Sequence, residues 1–278
     1  FGHGSGNYMS RKLGARRREE AHTMSATGFC YSLAFGVLLA VIGHFYLTEL
    51  AVLLGSTPTI LPYTETYLGI VLLGAPFTTA SLTMNNQMRF QGNAAYAMYG
   101  ILTGAVLNVV LDPLLIFGLG LGISGAAWAT VISQACSFGV LVCMMRQNGG
   151  LPIDLRRFSP RPALLKEIVL GGTPSLSRQG LAAASTIALN VAAGAFGDAA
   201  IAGMSIVNRV CFFIFAIIIG LGQGYQPLCG FCYGAGLYAR VKEGFVYCLK
   251  LGTLFLLVCS VPGIALAEEI MRLFRDEP

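Results

Sequence analysis

The sequence predicts an all-α, polytopic helical membrane protein with about seven full spans and the end of an earlier one. Three observations predict it. Of the 278 residues 55% are apolar and only 11% charged, with a mean hydropathy of +0.69; a soluble domain carries about 25% charged residues. Apolar stretches recur at 22–46, 63–87, 95–117, 122–145, 165–192, 199–231 and 243–267, each near the roughly 20 residues that cross a bilayer. The loops between them alternate in charge, as the positive-inside rule requires if the basic ones face the cytoplasm.

The alternation can be followed along the chain. Residues 1–9 read as the tail of an earlier span, and the chain opens in mid-pattern at Phe1-Gly-His-Gly, as a piece of a longer protein would. The loop 10–21 (SRKLGARRREEA) holds five basic residues and the next, 47–62, holds none. Arg89 marks the following turn, whereas 118–121 has no basic residue. Residues 146–164 carry Arg146, Arg156, Arg157 and Arg161, 193–198 none, and 232–242 Arg240 and Lys242. Arg272 and Arg275 break the rhythm on the outer side, beside Glu268, Glu269, Asp276 and Glu277. The net charge of +5 is therefore punctuation between spans and not a nucleic-acid surface. Six of the eight cysteines lie singly in apolar runs, and Cys229-Gly-Phe-Cys232 lacks the second ligand pair or βαβ context of a metal or redox motif.

Residues 114–130, LLIFGLGLGISGAAWAT, imitate a dinucleotide-binding strand, turn and helix through Gly120-x-Gly122-x-x-Gly125. The acid expected about 20 residues onward is missing; after Asp112 the next is Asp154. In a membrane chain these glycines read as a tight turn, Gly118 to Gly122, and a close helix approach at Gly125. Nucleotide and nucleic acid are not expected partners; the lipid bilayer is.

Residues 1–56 laid on 221–276, an offset of 220, share nine identities without a gap, among them Gly14 with Gly234 and Ala15 with Ala235. That is about twice the chance level for this composition. Glycine-rich helix end, basic loop, span and acidic edge also coincide in order. Both copies run in the same sense, which implies parallel repeats about an axis along the membrane normal; convergence of membrane helices is the alternative. Residues 147–164 then form a cytoplasmic linker between first-lobe helices (1–146) and second-lobe helices (165–278), each lobe incomplete at its chain end.

Ionisable groups inside spans are costly and mark candidate functional residues. Asn108 and Asp112 share a helical face through their i, i+4 spacing. Asp112 and Thr130 lie roughly 12 and 15 Å from the Gly120 turn on adjoining helices, at similar depth. A carboxylate, an amide and a hydroxyl make a hard oxygen site for a proton or a small alkali cation, so Asp112, Asn108 and Thr130 are the candidate cation-binding residues, metal ligands only if the ion is Na⁺. The alternative is that Asp112 snorkels from a helix end or pairs structurally. Pro113 frees upstream carbonyls and predicts a bend. In the second lobe Arg178, Gln179, Asn190, Asn208 and Arg209 are candidates for lining a substrate cavity or for structural cross-links. Asn86, Arg89, Gln91 and Gly92 read as structural. No nucleophile–base arrangement, phosphate loop or catalytic carboxylate pair is present, and no cofactor is expected.

The run Leu107-Asn-Val-Val-Leu-Asp-Pro-Leu-Leu-Ile-Phe-Gly118, continuing to Thr130, resembles the signature of the MATE (multidrug and toxic compound extrusion) transporters. Met88-Arg-Phe-Gln-Gly92 is similar to that family's L-R-x-Q-G, and Gly222-Gln-Gly-Tyr-Gln-Pro-Leu-Cys-Gly-Phe-Cys-Tyr-Gly-Ala235 to its eighth-helix motif. Pro174-Ser-Leu-Ser-Arg-Gln-Gly180 resembles the bacterial branch. The resemblance implies two pseudo-symmetric six-helix lobes around a central cavity, with this chain beginning inside the second helix and stopping after the ninth. It implies cation-coupled export of an amphipathic, cationic small molecule across the bacterial inner membrane by alternating access, driven by H⁺ or Na⁺. It places Asn108, Asp112 and Thr130 on the first lobe's cation site. The chain departs from the sodium-coupled branch in offering only Glu167, at the edge of 165–192, as a seventh-helix acid. A lipid-linked oligosaccharide flippase of the wider superfamily is the alternative, with Arg178 and Arg209 facing a pyrophosphate head group. A monomer that is not an enzyme is expected.

Overall fold

The computed structural model describes residues 1–54, 56, 58–147, 150–194 and 198–265, and every regular element among them is helical. The chain divides into two compact units, 1–172 and 173–278. The first holds α1 (Gly2–Gly14), α2 (Arg18–Phe45), α3 (Leu47–Leu53), α4 (Leu61–Leu73), α5 (Ala75–Phe90), α6 (Ala94–Pro113) with a π-helical turn (Leu114–Gly118), and α7 (Gly122–Gln147). Helix α8 (Pro162–Gly194) starts in this unit and runs into the second, which holds α9 (Asp198–Gly234) and α10 (Tyr238–Ala265).

Among the described residues five helices are long and apolar enough to cross a membrane, or six if the bent pair α4 and α5 is one span. The stretch 165–192 is helical within α8 but is not among these six. Lys166, Glu167, Arg178 and Gln179 interrupt its apolar run. Two features of the first unit differ from the sequence reading. The single span expected over 63–87 is two helices bent by 50° at Gly74. Pro76, in the first turn of α5, has no N–H to carry the α4 ladder across the break. The loop expected over 47–62 contains the short helix α3.

Large apolar side chains face outward as well as inward, and the interior of the first unit mixes apolar clusters, around Met84 and Leu141 and around Met9 and Met24, with buried polar side chains. Val109 is 71% and Phe213 76% exposed, while Ser5, Ser25, Thr27 and Gln87 are fully buried. Gln87 on α5 donates to Ser5 Oγ on α1 (3.2 Å) and to the Ser25 carbonyl on α2 (3.1 Å), and accepts from Ser25 Oγ (3.3 Å). Farther along the same seam Thr83 donates to Ser32 Oγ and Ser32 to the Thr79 carbonyl, both at 2.7 Å. Small residues and interhelical hydrogen bonds hold spans together where lipid removes the hydrophobic drive between them. The molecule is a polytopic helical membrane protein.

Two tight approaches fix α1. A Cβ on Gly4 would lie 1.9 Å from the Ile168 carbonyl oxygen of α8, so these helices touch backbone to backbone. At its far end Arg11 pairs with Glu167 of α8 at 3.0 Å, and Lys12 with Glu20 at 2.6 Å. The Glu20 carboxylate holds the Lys12 ammonium above its ordinary value.

The turns that close α1 and α9 have one hydrogen-bond pattern. After α1, the Ala15, Arg16 and Arg17 amides donate to the carbonyls of Arg11, Leu13 and Lys12; after α9, Ala235, Gly236 and Leu237 donate to those of Phe231, Tyr233 and Cys232. All six positions obey the offset of 220 found in the sequence. The left-handed residue also coincides: Arg16 has φ +61° and Gly236 φ +75°. The same closure ends α5, where the Gln91, Gly92 and Asn93 amides donate to the carbonyls of Gln87, Arg89 and Met88 and Gly92 has φ +89°, so the shared turn is a common helix C-cap and does not by itself establish the repeat. In the second unit α9 and α10 pack through Tyr225, whose hydroxyl donates to the Val241 carbonyl (2.6 Å) and whose ring lies where a Cβ on Gly244 would stand (2.7 Å).

Candidate functional site

The signature run forms the end of α6, the π turn and the start of α7. Pro113 has no amide hydrogen for the Val109 carbonyl, and beyond it the helix widens. The Leu119 amide reaches back five residues to Leu114 O (3.0 Å), and that of Leu121 six residues to Leu115 O (3.2 Å). Such widened turns inside helices recur at functional sites. The chain then reverses through Gly120 and Gly122, at φ +65° and +55°. Gly125 serves a different end: a Cβ there would stand 2.7 Å from Leu115 O, so α7 lies directly against the π turn.

This packing brings Asn108 of α6 and Thr130 of α7 to the wall of an open cavity of about 310 Å³ bordered by α5, α6 and α7. Asp112 lies one turn from Asn108 and does not line the cavity. Its Oδ1 accepts from Asn108 Nδ2 at 3.4 Å, a long contact that leaves the carboxylate loosely held. Asp112 is half-buried, and among the described residues no basic group lies within ion-pair distance of it. Thr130 Oγ1 donates within its own helix, to Ala126 O at 3.0 Å, which leaves its oxygen lone pairs for the cavity.

The walls are cross-braced once for each helix pair. Asn85 of α5 donates to Ala97 O of α6 at 2.7 Å, Ser137 of α7 to Gly100 O of α6 at 2.7 Å, and Thr78 of α5 to Gln134 Oε1 of α7 at 2.6 Å. Two more hydroxyls on the wall, Ser81 Oγ and Ser133 Oγ, are buried without a hydrogen-bond partner among the described residues. An unmet buried hydroxyl costs about 1–3 kcal/mol. None of these six wall residues was anticipated. The signal was Thr130, Gln134 and Ser137 at i, i+4, i+7 on one face of α7.

Of the second-unit candidates, Arg178 and Gln179 are exposed on α8, Asn208 is half-buried on α9, and none of them lines this cavity. The side chains of Asn190 and Arg209 lie outside the described residues. The motif Met88-Arg-Phe-Gln-Gly92 acts structurally: Arg89 donates to Asn86, Gln91 Oε1 accepts from the Leu151 amide of the linker (2.7 Å), and Gly92 turns the chain at φ +89°.

The MatE family model matches residues 1–114 and 174–278. The chain belongs to the MATE family. Its curated relatives include the multidrug export protein MepA of Staphylococcus haemolyticus (strain JCSC1435), 30% identical over all of this chain and 62% of that protein, and MepA of Staphylococcus aureus (strain MSSA476), 29% identical over all of this chain and 61% of that one. Among solved structures, the outward-facing conformation of a multidrug resistance MATE transporter of the MOP superfamily matches 98% of this chain and 61% of its own, with TM-score 0.91 and 26% identity. A MATE crystal structure in the bent conformation matches the same share of this chain and 62% of its own, with TM-score 0.90 and 26% identity. The chain therefore spans about three fifths of the length of the MATE proteins it matches.

Proposed function

We propose that this chain is part of a cation-coupled antiporter that exports amphipathic, cationic small molecules across the bacterial inner membrane by alternating access. The observation that carries the reading is Asp112: a half-buried carboxylate in a spanning helix, loosely held by Asn108 and without a basic partner among the described residues. An ionisable group inside a span is costly and rare, and by default marks a functional site. A proton or Na⁺ arriving at Asp112 would take further oxygens from Asn108 and Thr130. Each charge moved down 100 mV supplies about 2.3 kcal/mol, useful only if the ion binds the two lobe arrangements unequally. The basic loops face the cytoplasm in this reading, the working unit is a monomer, and no covalent chemistry is performed. MepA, described as a multidrug export protein, supports the substrate class.

In the full-length protein Asp112→Asn should abolish ethidium efflux while expression stays normal; undiminished efflux would remove Asp112 from the mechanism. A flippase of lipid-linked oligosaccharides is the second reading, favoured by Arg178, exposed and without an ion pair among the described residues. Loss of wall or glycan synthesis on deletion, with drug tolerance unchanged, would select it.

A further inference from the structure

A second cavity lies at the opposite end of α7, where the chain leaves that span for the linker. It measures about 230 Å³ and is walled by Phe29 of α2, Met84 of α5, Phe138, Val142 and Met145 of α7, and Ile153 of the linker. Phe29 and Phe138 stack at 6.2 Å. Apolar cavities of this kind stay dry and take apolar guests, and methionines in the wall let the shape adapt. The space equals roughly eight water volumes, room for the end of one acyl chain.

The linker arches over this space and is tied down on both sides. Before the arch, the Leu151 amide is held by Gln91 (2.7 Å) and Leu151 is buried. After it, Arg157 pairs with Glu19 of α2 and with Asp154 (3.5 Å). An arch pinned at both ends cannot sink to fill the gap beneath it, so the cavity is part of the fold.

One charged group stands in the wall: Arg146, in the last turn of α7. It is exposed and makes no ion pair among the described residues. The nearby acids are already committed, Glu19 to Arg157, and Asp154 to Arg157 and to the Arg156 amide. An apolar slot with one free guanidinium at the depth where a span ends fits a phosphate above an acyl chain. We infer that this cavity binds one anionic phospholipid from the adjoining leaflet, its acyl chain against Phe29, Phe138 and Met145 and its phosphate on Arg146. A lipid there would brace the linker without touching the polar cavity, so the inference stands apart from the transport reading.

Native mass spectrometry of the delipidated full-length protein tests it, with phosphatidylglycerol, phosphatidylcholine and dodecyl phosphate as probes. Wild type should retain one phosphatidylglycerol in preference to phosphatidylcholine. Arg146→Gln, at an exposed position that does not threaten folding, should weaken that binding about tenfold, the loss of one charge-assisted contact. Val142→Trp should abolish it by filling the slot, and Arg161→Gln, an exposed linker arginine outside the cavity, should leave it intact. Equal retention of phosphatidylcholine, or unchanged phosphatidylglycerol binding in Arg146→Gln, would overturn the inference. Binding of dodecyl phosphate without phosphatidylglycerol would overturn it too, by assigning the slot to a soluble amphiphile.

Discussion

The paired turns after α1 and α9 make a prediction of opposite sign at two positions. Arg16 holds φ +61° and Gly236 φ +75°. An L-residue in the left-handed region costs about 1–2 kcal/mol; a glycine there relieves this but adds about 0.4–1 kcal/mol of unfolded-state entropy. The balance for Arg16→Gly is a gain of about 0.5–1 kcal/mol. Gly236 is exposed, and a Cβ built on it meets nothing within 4 Å. Gly236→Ala therefore loses about the same amount through the backbone alone. In thermal unfolding of the detergent-purified protein at one scan rate, each change should move Tm by about 1–3 °C, upward for the first and downward for the second. Arg16→Ala removes the charge but keeps the Cβ, and should gain nothing. If Arg16→Ala stabilises as much as Arg16→Gly, the effect is electrostatic and the backbone reasoning is wrong.

Gly4→Ala places a Cβ 1.9 Å from the Ile168 carbonyl and should cost about 3 kcal/mol or more. Gly172→Ala, helical and with nothing within 4 Å, should gain about 0.5–1 kcal/mol; thermal unfolding separates the two. Gln87→Leu removes three hydrogen bonds joining α1, α2 and α5. At about 0.6 kcal/mol each in a membrane the loss is about 2 kcal/mol, and a Tm within error of wild type would show that seam to be idle. Ser133→Ala deletes a buried hydroxyl that has no partner among the described residues, so stability should hold or rise by about 1 kcal/mol. If efflux also stays unchanged, Ser133 does not serve the polar cavity.

What the sequence made legible depended on how few solutions lipid permits. A run of apolar residues closed by Gly118 to Gly122 can hardly be anything but a span and a turn, because the backbone must satisfy itself within the bilayer. The break at Gly74 was visible too, in Ala75-Pro76, but a hydropathy window averages over one proline. Asn108 and Asp112 stood out because an amide and a carboxylate are dear in a span. Ser81 and Ser133 did not, because a hydroxyl can lean on the carbonyl four residues back and so passes unnoticed in any apolar helix. Their meaning arises only when three helices surround them.

The repeat shows the same limit from the other side. An identity count scores Arg16 against Gly236 as a mismatch, one of many in 56 aligned positions. In space that pair closes two helices alike, but Gln91, Gly92 and Asn93 close α5 by the same bonds, so the shared turn marks a helix end before it marks a repeat. Side chains drift once a turn is fixed by backbone bonds, since the first copy tolerates an arginine at a modest conformational cost. A glycine search would have missed the first copy. What the structure adds to nine shared letters is only that both turns fall where the offset of 220 puts them.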